Sequence, residues 1–418
     1  MIRKIAFAVA TPLVLLGQSG AGIALVGGTL YQGPEAPAVP NAAVLIRDGA
    51  IAAAGPATSV RAPKDAKRID CRGLTILPGF WNSHVHFFER KWSEAASIPA
   101  VELGRQIEDM LTRYGFTSVV DLGSPLENTL TIRARVESGE IPGPRIYTSG
   151  DVLLPANPVL PDASILNVLG SMKPRPIEIA TPTDARAAVR KLVSGGADLI
   201  KAMLSTGPRR IPADALASAV EEAHSAGRPV AAHPNNLADV LTALAAGVDI
   251  VAHTAPAGPE WGAELAAAVA NRSAALTPTL KIWWEFQRHD RASEQDKAAA
   301  AGERKLRAWI GAGGKVLFGT DVSYVSYDPA REYRMMERAG MGFRDILASL
   351  TTSPAAQFQA RRAGRIEPAM QADLTVVAGD PSRDITKLAT VIYTIRNGRI
   401  IYRRAEAAPA PTQSPRIQ

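Results

Sequence analysis

From residue 74 to residue 319 the chain alternates short apolar runs with stretches of helical periodicity. Eight runs stand out: Leu74–Phe80, Thr117–Leu122, Arg145–Ser149, Asp198–Met203, Pro229–Ala232, Asp249–Ala252, Ala275–Leu280 and Lys315–Gly319. Each is short and apolar at successive positions, as strands buried on both faces are. Helical patterns fall between most of them, such as Asp184–Gly196 and Ala213–Gly227, whose glycines suit a helix C-cap. This alternation predicts a parallel α/β fold, and eight units fit a TIM (β/α)8 barrel over residues 73–363 better than an open sheet.

The flanks read differently. From Ile23 to Asp70 the pattern is short strands and turns, with Asp48-Gly49 between apolar runs; Ala372 to Tyr402 repeats it around Asn397-Gly398. Two β-rich flanks predict a small β-sandwich module formed by residues 22–72 and 364–404. Before it, residues 1–21 read as a signal peptide: Arg3 and Lys4, an apolar stretch Ile5–Leu16, and small residues Ser19-Gly20-Ala21. The stretch is shorter than the roughly 20 residues that span a bilayer. An exported protein is expected, periplasmic or secreted, with no integral membrane segment in the mature chain. Residues 405–418, rich in Ala and Pro, read as a flexible tail. Cys71 is the only cysteine, which excludes an intramolecular disulfide and a cysteine-based metal site.

The formal charge of +7 raises nucleic acid as a partner. The basic residues are scattered, however, apart from pairs such as Arg361-Arg362 and Arg403-Arg404. With no basic helix and no stacking aromatic series, nucleic-acid binding is not expected. A small-molecule substrate is, and assembly into a homo-oligomer stays open.

Chemistry enters with the residues that end the apolar runs. Of six histidines, His84 and His86 follow the first run, His233 the fifth and His253 the sixth. Lys201 lies in the fourth run and Asp321 closes the eighth. In a barrel of this kind, strand C-termini build the active site. His84 and His86 are two apart, so on an extended segment both imidazoles face one side. Taken singly, His233 or His253 is a hydrogen-bonded core histidine, Lys201 a residue snorkelling to the strand end, and Asp321 a helix N-cap. Their shared position favours a metal site. His224, within a helical pattern, and His289, in a polar run, read as structural or exposed.

The ordered motifs LPGFWNSHVHF, GFTSVVDLGS, GPRIYTSG, GADLIKAML, EEAHSAGRPVAAH, GVDIVAHT, LTPTL, FGTD and GRIEPAMQADLTVVAGDP resemble the amidohydrolase superfamily. The resemblance is to its imidazolonepropionase-like and Xaa-Pro dipeptidase-like branch. It implies two divalent metal ions, zinc by default. His84, His86 and Asp321 would hold the first and His233 and His253 the second, bridged by a CO2-derived carbamate on Lys201. It further implies hydrolysis of a carbon–nitrogen bond in an amide, cyclic amide or carbamate. A hydroxide bridging the metals would attack, with Asp321 as catalytic proton shuttle.

Two departures bear on the substrate. His233-Pro234-Asn235-Asn236 lacks the second histidine that many relatives carry two positions after the fifth-strand ligand, and Asp151–Asp162 lacks the histidine-containing glycine loop of dipeptidase-like relatives. Substrate-binding candidates on the loops are Arg209, Asn235, Trp283 and Tyr324, with Arg210, Trp284 and Tyr327 beside them. Three alternatives remain: a mononuclear deaminase on the same barrel, which needs no bridging lysine; a dipeptidase; and a non-catalytic scaffold, which six retained ligands disfavour.

Overall fold

A computed structural model describes residues 22–159, 177–255, 258–286, 292–322 and 325–405. The expected signal peptide, His289, Tyr324 and all of the expected tail but Ala405 lie outside the described residues. Among these residues, no helix is long and apolar enough to cross a membrane.

The apolar runs form parallel strands in two sheets. One is ordered Phe80–Val85, Phe116–Asp121, Arg145–Thr148. The other is ordered Ile177–Ile179, Leu153–Pro155, Ile200–Met203, Val230–His233, Ile250–Ala252, Ala275–Thr277, Lys315–Val316. Backbone hydrogen bonds join the sheets at both sides. Ser83 N–H donates to the Phe318 carbonyl (2.7 Å), Asp321 N–H to His84 (2.9 Å) and His86 N–H to Val322 (2.6 Å). Opposite, Asp198 N–H donates to the Thr148 carbonyl (2.8 Å). Helices follow most strands; Pro182–Ser194 starts with a capping box at Thr181 and ends at Gly195 and Gly196.

Three boundaries differ from the sequence expectation. Leu74–Phe80 is not the first parallel strand: Leu74–Pro78 pairs antiparallel with Leu374–Ala378, and the parallel strand begins at Phe80. The chain passes from that antiparallel pairing to the parallel strand at Gly79, where a Cβ would stand 2.3 Å from Thr117 Oγ1, so only glycine fits. The seventh strand stops at Thr277, and Leu280 opens the helix Leu280–Phe286. Leu153–Pro155 and Ile177–Ile179 are additional short strands in a segment expected to be loop.

The flanking segments pair as one eight-stranded mixed sheet, in which Leu74–Pro78 lies between Leu374–Ala378 and Ile23–Leu30. Both expected turns place two successive residues at positive φ, Asp48 and Gly49 (50° and 75°) and Asn397 and Gly398 (47° and 72°), as tight hairpins require. Asp373 ties this sheet to the parallel strands, accepting from Arg145 (3.1 Å) and from Asn397 N–H (2.8 Å).

Two buried features position the site. Trp81, Val120, Leu199, Ala231, Ile250, Ala275 and Leu317 form one apolar cluster drawn from seven of the parallel strand segments. Trp81, Val120, Ala231, Ile250 and Ala275 lie upstream of their strands' C-terminal ends, so polar residues are left to those ends. Elsewhere, the fully buried Glu332 carboxylate accepts from the N–H groups of Leu280 and Lys281 (2.8 and 2.7 Å). Lys281 in turn donates to the carbonyls of Ser326 and Asp328, tethering the segment beyond Asp321.

Burial pushes Glu332 up to about 7, against the backbone donors and Lys281, which pull it down. A raised carboxyl contributes stability that is full below the unfolded value and lost as pH rises through the folded one. Stability should therefore fall between about pH 4.5 and 7. Glu332→Gln is expected to flatten that decline while costing about 1–3 kcal/mol from a mismatched backbone donor. Chemical unfolding at several pH values checks this; an unchanged pH slope would refute it.

Candidate metal centre

Five of the six polar residues singled out from sequence lie at or just beyond strand C-terminal ends, and Lys201 lies within its strand. His84 lies in Phe80–Val85, with His86 just beyond it. Lys201 lies in Ile200–Met203, His233 ends Val230–His233, and His253 follows Ile250–Ala252. Asp321 follows the last parallel strand. All are buried except His233, which is half-buried.

Asp321 is the meeting point. Its Oδ1 stands 3.3 Å from His84 Nε2 and 2.9 Å from His86 Nε2, and its Oδ2 stands 3.8 Å from His253 Nδ1. The His84 ring lies 4.8 Å from that of His253, which lies 4.4 Å from that of His233. Ligand atoms of His84, His253 and Asp321 fall within 4.8 Å of one another.

Backbone strain marks the same place. His253 (φ 71°), Asp321 (57°) and Thr279 (45°) are non-glycine residues in the left-handed region, a conformation that costs on the order of 1–3 kcal/mol and persists where the surroundings over-determine it. The His253 N–H bond to the Thr277 carbonyl (2.8 Å) and the Asp321 bond to His84 do so here. Gly319 allows the strands to approach: a Cβ there would meet Thr277 Cγ2 at 2.3 Å and His84 Cβ at 2.8 Å.

Desolvation sets the protonation states. Burial, then the Lys201 charge and neighbouring imidazoles, hold His84 far below the usual histidine value. Burial, then His233 and Lys201, do the same to His253. His233 falls to about 4, chiefly by burial. These three rings are neutral near pH 7, each with a lone pair to offer a cation. Burial brings the Lys201 ammonium down to about 8, against the pull of Asp321 and Asp121.

Two residues not singled out from sequence support the cluster. Asp121 ends the second strand, fully buried, 3.9 Å from His86 Nδ1, and accepts from Ser124 (2.5 Å) and Thr148 (2.6 Å). Its signal was close to the one that exposed the others, a polar residue next to last in the apolar run Thr117–Leu122. Thr279 Oγ1 lies 2.6 Å from His253 Nδ1. Its Oγ1 also lies 2.9 Å from the Pro278 carbonyl, so a hydroxyl proton given there leaves it an acceptor for a hydrogen on His253 Nδ1 and leaves the lone pair on Nε2.

The substrate candidates are dispersed. Asn235 Oδ1 stands 3.3 Å from His233 Nε2. Trp283 is buried 5.8 Å from the His253 ring, its Nε1 donating to Thr254 (2.9 Å). Arg209 is exposed on the hairpin of Ser205–Thr206 with Arg209–Arg210, where Arg210 pairs with Asp239. Trp284 lies under the Arg331 guanidinium (3.6 Å), and Tyr327 clusters with Glu89 and Lys91. His224 is exposed and bonded to Asp249 (2.8 Å).

A divalent cation fits these donors. Among the described residues, His84 Nδ1 and Asp321 Oδ1 are buried without a hydrogen-bond partner, which is costly for a carboxylate oxygen unless something positive faces it. The amidohydrolase family model matches residues 75–401. The chain belongs to the amidohydrolase family. It is accordingly a metal-dependent hydrolase acting on carbon–nitrogen bonds, and its small-molecule chemistry follows from the family.

Solved structures resemble this amidohydrolase over nearly its whole length. A Xaa-Pro dipeptidase with methionine bound in its active site is 24% identical (TM-score 0.76), with 92% of this chain and 100% of that one covered. A prolidase complexed with N-methylphosphonate-L-proline is 25% identical (TM-score 0.73), with the same coverage. An ochratoxinase from A. niger is 22% identical (TM-score 0.75), covering 94% of this chain and 98% of that one. These likenesses give a TIM-barrel-type fold to the parallel strands. No curated protein sequence matches the chain.

Replacing Thr279 by valine keeps the shape and removes the acceptor on His253. Partners of this kind set the affinity of the ligands they orient. Thr279→Val is expected to weaken zinc retention by roughly 10- to 100-fold, read by competition with a chromogenic chelator. Wild-type retention would show that Thr279 does not orient the ligand.

Proposed function

We propose that this amidohydrolase hydrolyses an amide, cyclic amide or carbamate carbon–nitrogen bond at a two-metal site within a closed (β/α)8 barrel. His84, His86 and Asp321 hold one divalent ion, His233 and His253 the other, and Lys201 bridges them as its carbamate. Zinc suits a set of imidazoles and carboxylates. Two such ions, when bound, supply a bridging hydroxide at neutral pH and polarise the scissile carbonyl.

The observation that carries this reading is the placement of Asp321. One buried carboxylate faces three imidazoles at 2.9–3.8 Å, so one oxygen can hold an ion while the other remains available to a proton. Asp321 takes the proton released by the attacking water and delivers it to the leaving nitrogen, whose departure as an anion would otherwise be prohibitive. Lys201 supports the bridge because its amine is buried and only weakly basic for a lysine. Carbamate formation joins the neutral amine to CO2 and releases one proton, replacing a cation by an anion among the ligands.

The prolidase that is 25% identical is complexed with a phosphonate of proline, which supports including N-acyl prolines among the substrates tried.

The test is metal-depleted protein reloaded with zinc or manganese and assayed on amides, lactams, carbamates and N-acyl amino acids. Two ions per chain are expected by elemental analysis, together with a carbamate carbon signal after exposure to 13C-bicarbonate. Lys201→Ala should lose at least about a hundredfold in kcat, about 2.7 kcal/mol of barrier. Wild-type turnover by that variant would remove the bridge from the mechanism. One ion and an unmodified Lys201 would instead favour a mononuclear deaminase.

A further inference from the structure

Asn235 lies two residues beyond His233, on the turn that enters the helix Leu237–Ala246. Its amide nitrogen donates to the Ser205 carbonyl (2.8 Å) and to Ser205 Oγ (3.0 Å). A backbone carbonyl can only accept, so the NH2 group must face Ser205. The amide oxygen is thereby turned to His233 Nε2, at 3.3 Å. That oxygen has no hydrogen to give, so Nε2 must supply one, and in a neutral imidazole Nδ1 then keeps the lone pair.

The orientation is anchored from behind. Ser205 Oγ accepts from Asn235 and donates onward to Asp239 Oδ2 (2.7 Å). Asp239 is 3% exposed and also receives the Asn235 backbone N–H (3.0 Å) and the Arg210 guanidinium. Both amide protons of Asn235 are thus committed within the protein, which leaves none to donate to a substrate. The contrast with the adjacent ring is direct: Thr279 Oγ1 faces Nδ1 of His253, whereas Asn235 Oδ1 faces Nε2 of His233.

We propose that Asn235 is a positioning residue that locks His233 as its Nε2–H tautomer and so selects Nδ1 as the metal-binding atom. The second half of this inference rests on the two-metal reading given above; the first half does not. Ser205 and Asp239 hold the lock, and Arg210 closes it on the solvent side.

Tautomers can be read without metal. Metal-free protein carrying 15N-histidine is examined by long-range 1H–15N correlation, with His233→Gln identifying the His233 signals. The wild type should show the Nε2–H form at His233. Asn235→Leu should show the Nδ1–H form or a mixture, while Ser205→Ala, which keeps the carbonyl tether, should retain Nε2–H. A wild-type His233 in the Nδ1–H form, or a pure Nε2–H form surviving in Asn235→Leu, would overturn the lock. Zinc competition gives the second readout. Asn235→Leu should bind one equivalent roughly 10- to 100-fold more weakly, and unchanged affinity for both equivalents would overturn the selection of Nδ1. A wild type that takes up no zinc would refute the two-metal function and, with it, that selection; the tautomer spectra would still decide the lock.

Discussion

Asp321 reaches the histidines because two backbone segments meet in register. The N–H of Ser83 finds Phe318, the N–H of Asp321 finds His84, and the N–H of His86 finds Val322. The Asn82 side chain reinforces the seam, its amide donating to Thr320 Oγ1 (2.7 Å). A slip of one residue would turn alternate side chains to the opposite face, sending His84 and His86 away from the carboxylate together. The cluster is therefore as dependent on this ladder as on its own side chains.

What the ladder brings together would repel water-free neighbours of ordinary chemistry. Buried imidazoles, a buried lysine and buried carboxylates are expensive unless they neutralise, pair or bind ions. Here the His84, His233 and His253 imidazoles resolve the conflict by losing protons, and Lys201 is carried part of the way. Strain at His253, Thr279 and Asp321 points the same way.

Much of this was legible in the sequence, for a physical reason. A strand buried on both faces leaves few positions for a polar side chain, so a histidine or aspartate ending such a run advertises itself. His84, His86, His233, His253, Lys201 and Asp321 were all visible that way, and Asp121 came close to the same criterion. The limits were equally physical. LTILPGFW is one continuous apolar run, and the change of sheet at Gly79 depends on how closely Thr117 approaches. Glu332 sits in a charged helical segment, AREYRMMER, which gives no hint that its carboxylate is wholly buried against Leu280 and Lys281. Thr279 and Asn235 act through hydrogen bonds whose direction depends on third partners. Arg209, on a two-residue hairpin strand, and Trp283, on the short helix Leu280–Phe286, had no periodicity to place them.

The sheet assembled from both chain ends has a consequence in time. Leu74–Pro78 receives one neighbour from Ile23–Leu30 and the other only from Leu374–Ala378, some three hundred residues later. While the polypeptide is being synthesised, that apolar strand waits with an open edge until Leu374–Ala378 has emerged, and open edges recruit strands from other molecules. The strands Leu374–Ala378, Val391–Arg396 and Arg399–Arg403 are thus a closing piece. A nascent chain halted before Leu374 would present the same edge permanently, and should be recovered as aggregate rather than as a slightly shorter enzyme.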